Sequence, residues 1–172
     1  GIRYRNVEGR NIAEVIEQPA FVSDLKLLAD AGLSLDLTVT PKIMVRVTDR
    51  VPSLRLVIPH LPNVRLPQER AELDAYMADL RELGKRPQVY IKLSEVIKRV
   101  DGKVPTDPSF YREWLDQLWN IFGENRVMFG SDWPNSEHAL FVDHNDNVWI
   151  GGNGAGDGHI LKFTRNGKFL LQ

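Results

Sequence analysis

Asp132 stands where a carboxylate can do chemistry. It closes the run Arg126-Val127-Met128-Phe129-Gly130-Ser131-Asp132-Trp133-Pro134, a short apolar strand halted by small residues, an acid and a Trp-Pro pair that cannot extend it. Where strands alternate with helices, their C-terminal ends carry the reacting groups. A carboxylate there can ligate a metal or take a proton from water. His60, between Pro59 and Pro62, sits on a stiffened backbone just past another apolar run. It serves either as a hydrogen-bonded loop histidine or as a ligand or substrate contact. Arg3 ends a strand and has the fork to hold a substrate carboxylate, although a surface salt bridge is the commoner fate of such a residue. Lys92 and Ser94 alternate along one strand and so share a face. They read either as substrate contacts or as a buried polar pair satisfied by the backbone.

Other polar segments carry less. The loop Asp143-His144-Asn145-Asp146-Asn147 lacks the Gly and the distal Glu of a calcium-binding loop and reads as an Asx-rich turn. The glycine-rich loop from Gly151 to Gly158 is followed by neither Lys-Ser/Thr nor a helix, so it is no phosphate cradle. Trp114 and Trp119 fit packing on a helix face.

The elements that must position these groups alternate over residues 1–136. Strands are predicted at Gly1–Tyr4, Leu33–Val39, Leu54–Ile58, Val89–Leu93 and Arg126–Phe129. Helices lie between them. One runs from Phe21 to Ala31 and ends at Gly32, and one begins at Thr40-Pro41 with proline in the first turn. Another spans Gln68 to Leu83, with Leu73, Tyr76, Met77 and Leu80 on one stripe. The last starts at Asp107-Pro108 and stacks Tyr111, Trp114, Leu115, Leu118 and Phe122 before Gly123. Strands alternating with amphipathic helices imply a parallel sheet with right-handed crossovers. Residues 137–172 lose the helical period. Short strands at Ala139–Val142, Val148–Ile150, His159–Thr164 and Phe169–Leu171, with Asn166-Gly167 as a hairpin signal, read as an antiparallel meander.

Composition narrows the class. With 42% hydrophobic and 26% charged residues, the chain is globular in type. A net charge of -1 gives no footprint for nucleic acid or an anionic membrane. No apolar run reaches the roughly 18 residues of a membrane span. The absence of cysteine suits a reducing compartment, with the cytoplasm favoured for the first part. The chain opens on a strand-like Gly1-Ile2-Arg3-Tyr4 without an initiator Met, which reads as a cut end.

Residues 1–136 resemble the amidohydrolase-2 family, barrel hydrolases related to 2-pyrone-4,6-dicarboxylate lactonase and sugar lactonases. The resemblance is carried by Gly1-Ile2-Arg3-Tyr4, Leu35-Asp36-Leu37, the stretch Val51-Pro52-Ser53-Leu54-Arg55-Leu56-Val57-Ile58-Pro59-His60-Leu61-Pro62, Val89-Tyr90-Ile91-Lys92-Leu93-Ser94, and Phe122-Gly123-Glu124-Asn125-Arg126 leading into Gly130-Ser131-Asp132-Trp133-Pro134. Their order matches the last five strands of an eight-stranded barrel, so the implied fold is α/β: an incomplete (β/α)8 barrel of about five parallel strands with helices. The resemblance implies that His60 ends strand six as an active-site histidine, that Asp132 ends strand eight as metal ligand or general base, and that a zinc-like divalent metal serves the complete barrel. The His-x-His pair of the family's first strand is absent, and Pro59 stands where an acid usually precedes the histidine. His60 and Asp132 alone are too few for a catalytic zinc, which wants about three protein ligands. The expectation is therefore a lactone or cyclic-ester hydrolase in ancestry, inactive and metal-free as this chain.

Residues 137–172 are similar to a single NHL-type propeller blade, with His138 at the position where a related lyase histidine binds zinc. The composite reads as a natural fusion, a fragment or an assembly artefact. The rival reading is a non-catalytic chimera or remnant whose blade serves protein interaction. The expected partners are a small-molecule substrate in the parent enzyme, no nucleic acid, no membrane, and self-association through unpaired strand edges. The inner sheet face, with Val57, Leu93 and Met128 or their neighbours, is expected to be apolar.

Overall fold

A computed structural model describes residues 1–5, 11–62, 66–67, 69–94, 96, 105–129, 137–142, 145, 147–152, 160–164 and 168–171. They divide into two compact units, Gly1–Met128 and Phe129–Gln172.

The first sheet holds β1 (Ile2–Arg5), β2 (Ser34–Thr38), β3 (Arg55–Pro62), β4 (Val89–Ser94) and β5 (Val127–Phe129, whose last residue is at the boundary of the units), hydrogen-bonded in that sequential order. Ile2 pairs with Leu35, Leu35 with Leu56, and Leu56 with Val89, all parallel. The expected α/β architecture, part of a (β/α)8 barrel, is therefore the one observed. The connecting helices are α1 (Ile12–Val15), α2 (Pro19–Asp30), α3 (Pro41–Arg50), α4 (Arg70–Gly84) and α5 (Ser109–Phe122).

Local chemistry explains where these helices stop and start. Asn11 caps α1 by accepting from the Ala13 N–H at 3.1 Å. After α2, Gly32 takes φ 65°, its N–H reaches Ala29 O, and the Leu33 N–H reaches Leu28 O. These are the paired bonds of a Schellman ending, which needs a left-handed residue at that position. Proline opens α2 and α3, where no intrahelical N–H is lost.

The core lies between one face of the sheet and the helices. Leu35, Leu37, Leu56, Ile58, Val89 and Ile91 supply the sheet side, and Met44, Val47, Tyr76, Leu80, Leu83, Leu118 and Phe122 the helix side. Arg126 donates to Gly84 O and Arg86 O, both at 2.7 Å, closing carbonyls left open at the end of α4.

The other face departs from the expectation of an apolar surface. Leu93 packs against the helix-side core, and Met128 is 37% exposed on the last strand. Met128, alternating with the core-packed Val127, keeps its expected face, as does Val57, buried among Arg3, Asp36, Tyr90 and Lys92, which alternation puts on the same side. That face is polar because the strands read Ser34-Leu35-Asp36-Leu37-Thr38 and Tyr90-Ile91-Lys92-Leu93-Ser94: every second residue is apolar and turned to the helices.

The second unit is an antiparallel sheet of β6 (Glu137–Val142), β7 (Val148–Gly152), β8 (Ile160–Phe163) and β9 (Phe169–Leu171) in sequential order. Lys162 Nζ lies 4.4 Å from the Trp149 ring centroid, on the residue paired with it across the strands. Thr164 and Lys168 close the last hairpin through Thr164 N–H to Lys168 O at 2.8 Å and Lys168 N–H to Thr164 Oγ1 at 3.0 Å.

Candidate active site on the polar sheet face

β3 is interrupted where chemistry was expected. Its register against β4 shifts between Ile58 and Leu61, so Pro59 and His60 form a bulge. Such an insertion re-aims a side chain at the end of a strand. His60 has φ 57°, a left-handed conformation that non-glycine residues adopt uncommonly and that gathers at functional sites. Its Nδ1 and the Ser94 Oγ share a hydrogen bond of 2.9 Å, and Ser94 is buried at the end of β4. The hydroxyl can donate or accept, so it orients the ring while leaving either tautomer available.

On the same face lies an ion cluster. Lys92 Nζ donates to Asp36 Oδ2 at 2.7 Å, and Arg3 Nη2 stands 3.5 Å from the same oxygen. Arg3 and Asp36 are direct neighbours in the β1–β2 register, whereas Lys92 reaches Asp36 from β4 across β3. The Asp36 side chain is 15% exposed, against 39% for Arg3 and 34% for Lys92. Asp36 was not singled out by sequence reasoning. The alternation of Ser34, Asp36 and Thr38 with Leu35 and Leu37 was the available signal.

The structure thus groups Arg3 with Lys92, and His60 with Ser94. Asp132 lies outside the described residues, as do His144, Asp143 and Asp146. His138 falls on β6, where its side chain is not described. Among the described residues no three His, Cys, Asp or Glu side chains come together to hold a metal ion. Asp36 is a poor ligand as it stands, since two cations already neutralise it and would repel a third. The described residues do not fit a metal by themselves. No helix among them is long and apolar enough to cross a membrane.

Residues 18–150 match the family model described as Amidohydrolase, and the chain belongs to that amidohydrolase-2 family. It is similar to an L-fucono-1,5-lactonase of Burkholderia ambifaria, 29% identical over 127 residues, which covers 72% of this chain and 42% of the relative. Against the enzyme of the same name from Burkholderia multivorans it is 40% identical over 65 residues, 36% of this chain and 22% of the relative. The chain therefore spans less than half the length of either. Among solved structures, an amidohydrolase from Burkholderia multivorans with bound zinc superposes with a TM-score of 0.63 at 26% identity, covering 78% of this chain and 49% of that one.

Proposed function

We propose that the chain is the strand-four-to-eight part of a lactone-hydrolysing amidohydrolase. The observation that carries this reading is His60, set in a left-handed bulge at a strand end and oriented by a buried serine, in a chain whose relatives include lactonases. In the proposed reaction His60 polarises the lactone carbonyl and Asp132 takes a proton from water. The water oxygen adds to the carbonyl carbon, the ring C–O bond breaks, and the leaving oxygen is protonated to give a hydroxy acid. Arg3 and Lys92 contact the substrate, and Ser94 sets the His60 ring. The zinc seen in a structural relative is not assigned to these residues, because the described donors do not fit it.

We further propose that the 172 residues alone turn over lactone slowly or not at all. His60 is the only histidine before residue 138, and two ligands cannot replace the family's set. The test joins this chain to the N-terminal portion of the Burkholderia ambifaria relative and assays L-fucono-1,5-lactone. The joined protein is expected to hydrolyse it, with His60→Ala and Asp132→Asn each lowering kcat/KM at least about a hundredfold. A folded, active protein indifferent to both substitutions would contradict the proposal.

A second reading concerns residues 137–172. The sequential antiparallel order of β6 to β9 supports one NHL-like blade, which would serve protein interaction in a non-catalytic chimera.

A further inference from the structure

We infer that Arg3 and Lys92 form a carboxylate-recognising subsite, with Asp36 as the positioning residue that makes the two cations converge. The inference rests on the lactonase reading and adds the charge of the ligand: opening a lactone leaves a carboxylate, which a neutral pocket would not distinguish from an alcohol.

Three strands build the subsite. Arg3 comes from β1, Asp36 from β2 and Lys92 from β4, all on the polar face. Both cations meet one oxygen, Asp36 Oδ2, at 3.5 and 2.7 Å. The carboxylate is the most covered of the three, while both cations remain about a third or more exposed. The trio carries a net charge of +1 by simple sum. A guanidinium has five N–H donors and an ammonium three, so one contact each with Asp36 leaves capacity for a second carboxylate. Arg55 on β3 contrasts with them, because its guanidinium is turned to the Gly32 carbonyl and serves the loop. A partly desolvated cation pair on a polar face selects anions.

The role of Asp36 has a sharp sign. If charge alone mattered, removing this acid would raise the local charge from +1 to +2 and tighten anion binding. If Asp36 aligns the cations, removing it scatters two long side chains and weakens binding. Calorimetric titration of the 172-residue chain at low salt, with L-fuconate as the carboxylate probe and L-fucitol as its neutral counterpart, separates the two.

L-fuconate is expected to bind, with L-fucitol at least about tenfold weaker. Arg3→Gln and Lys92→Met should each lower L-fuconate affinity by about tenfold and leave L-fucitol unchanged. Asp36→Ala should also weaken L-fuconate, and Asp36→Glu should recover part of the loss. Tighter L-fuconate binding by Asp36→Ala, equal binding of the two probes, or no L-fuconate binding below about 10 mM would overturn the subsite. If Asp36→Ala fails to fold by circular dichroism, the Arg3 and Lys92 variants decide: an undiminished preference for L-fuconate overturns it. Loss of that preference in the joined protein while His60→Ala still abolishes hydrolysis sinks the subsite alone. An intact preference without hydrolysis sinks the lactonase reading alone.

Discussion

Single side chains set the character of the described sheet. His60 accepts an unfavourable backbone conformation, and the bulge and the buried Ser94 hydroxyl hold it there. Its place beside two prolines was visible in the sequence, but the conformation was not, because a bulge depends on the register against β4. Asp36 was hidden for a related reason: its partner Lys92 is 56 residues away, and only the folded sheet brings them together. On the opposite face, burial pushes the Tyr76 hydroxyl up from its ordinary 10.0 to about 12. A pKa raised on folding means that the folded state favours the protonated form. This contribution to stability is complete below about pH 10 and is lost as the pH rises towards 12. Thermal melts across that window should show a steeper loss for the native chain than for Tyr76→Phe. Equal alkaline loss in the two would contradict the assignment.

Between elements, α4 approaches α5 closely at Gly84. A Cβ on Gly84 would lie 2.5 Å from Ile121 Cγ2 and 2.6 Å from Ile121 O. Backbone oxygen cannot step aside as a flexible side-chain end can. Gly84→Ala should therefore destabilise by about 1–3 kcal/mol, although the same change in an open helix position stabilises by roughly 0.5–1 kcal/mol. Denaturant titration reads the sign directly, and a stabilised variant would refute the close approach. The strands were legible because short Val-, Ile- and Leu-rich runs bounded by turn residues are the signature of a parallel sheet. α2 and α5 were legible through their glycine endings. α1 was not, since four residues carry too little period to register. β3 runs to Pro62, beyond the expected Ile58, because Pro59 reads as a strand breaker until a bulge accommodates it.

For the whole molecule, the consequential property is a division of labour across one sheet. Helices cover the apolar face and supply the core, while the opposite face gathers His60, Ser94, Arg3, Asp36 and Lys92. The composition hides this, because a net charge of -1 averages over a locally cationic cluster. The polar pairs were legible only as candidates; their grouping required the strand order. The proposed ligand face can be tested in the chain itself through its four histidines, His60, His138, His144 and His159. Nitrogen-15 imidazole spectra recorded during titration with L-fuconate, with the His60 signal assigned by its disappearance in His60→Ala, report on the site without requiring turnover. Movement of the His60 resonances with the other three unmoved is the predicted result. Movement confined to His138, His144 or His159, with His60 unchanged at saturation, would contradict a ligand site on this face.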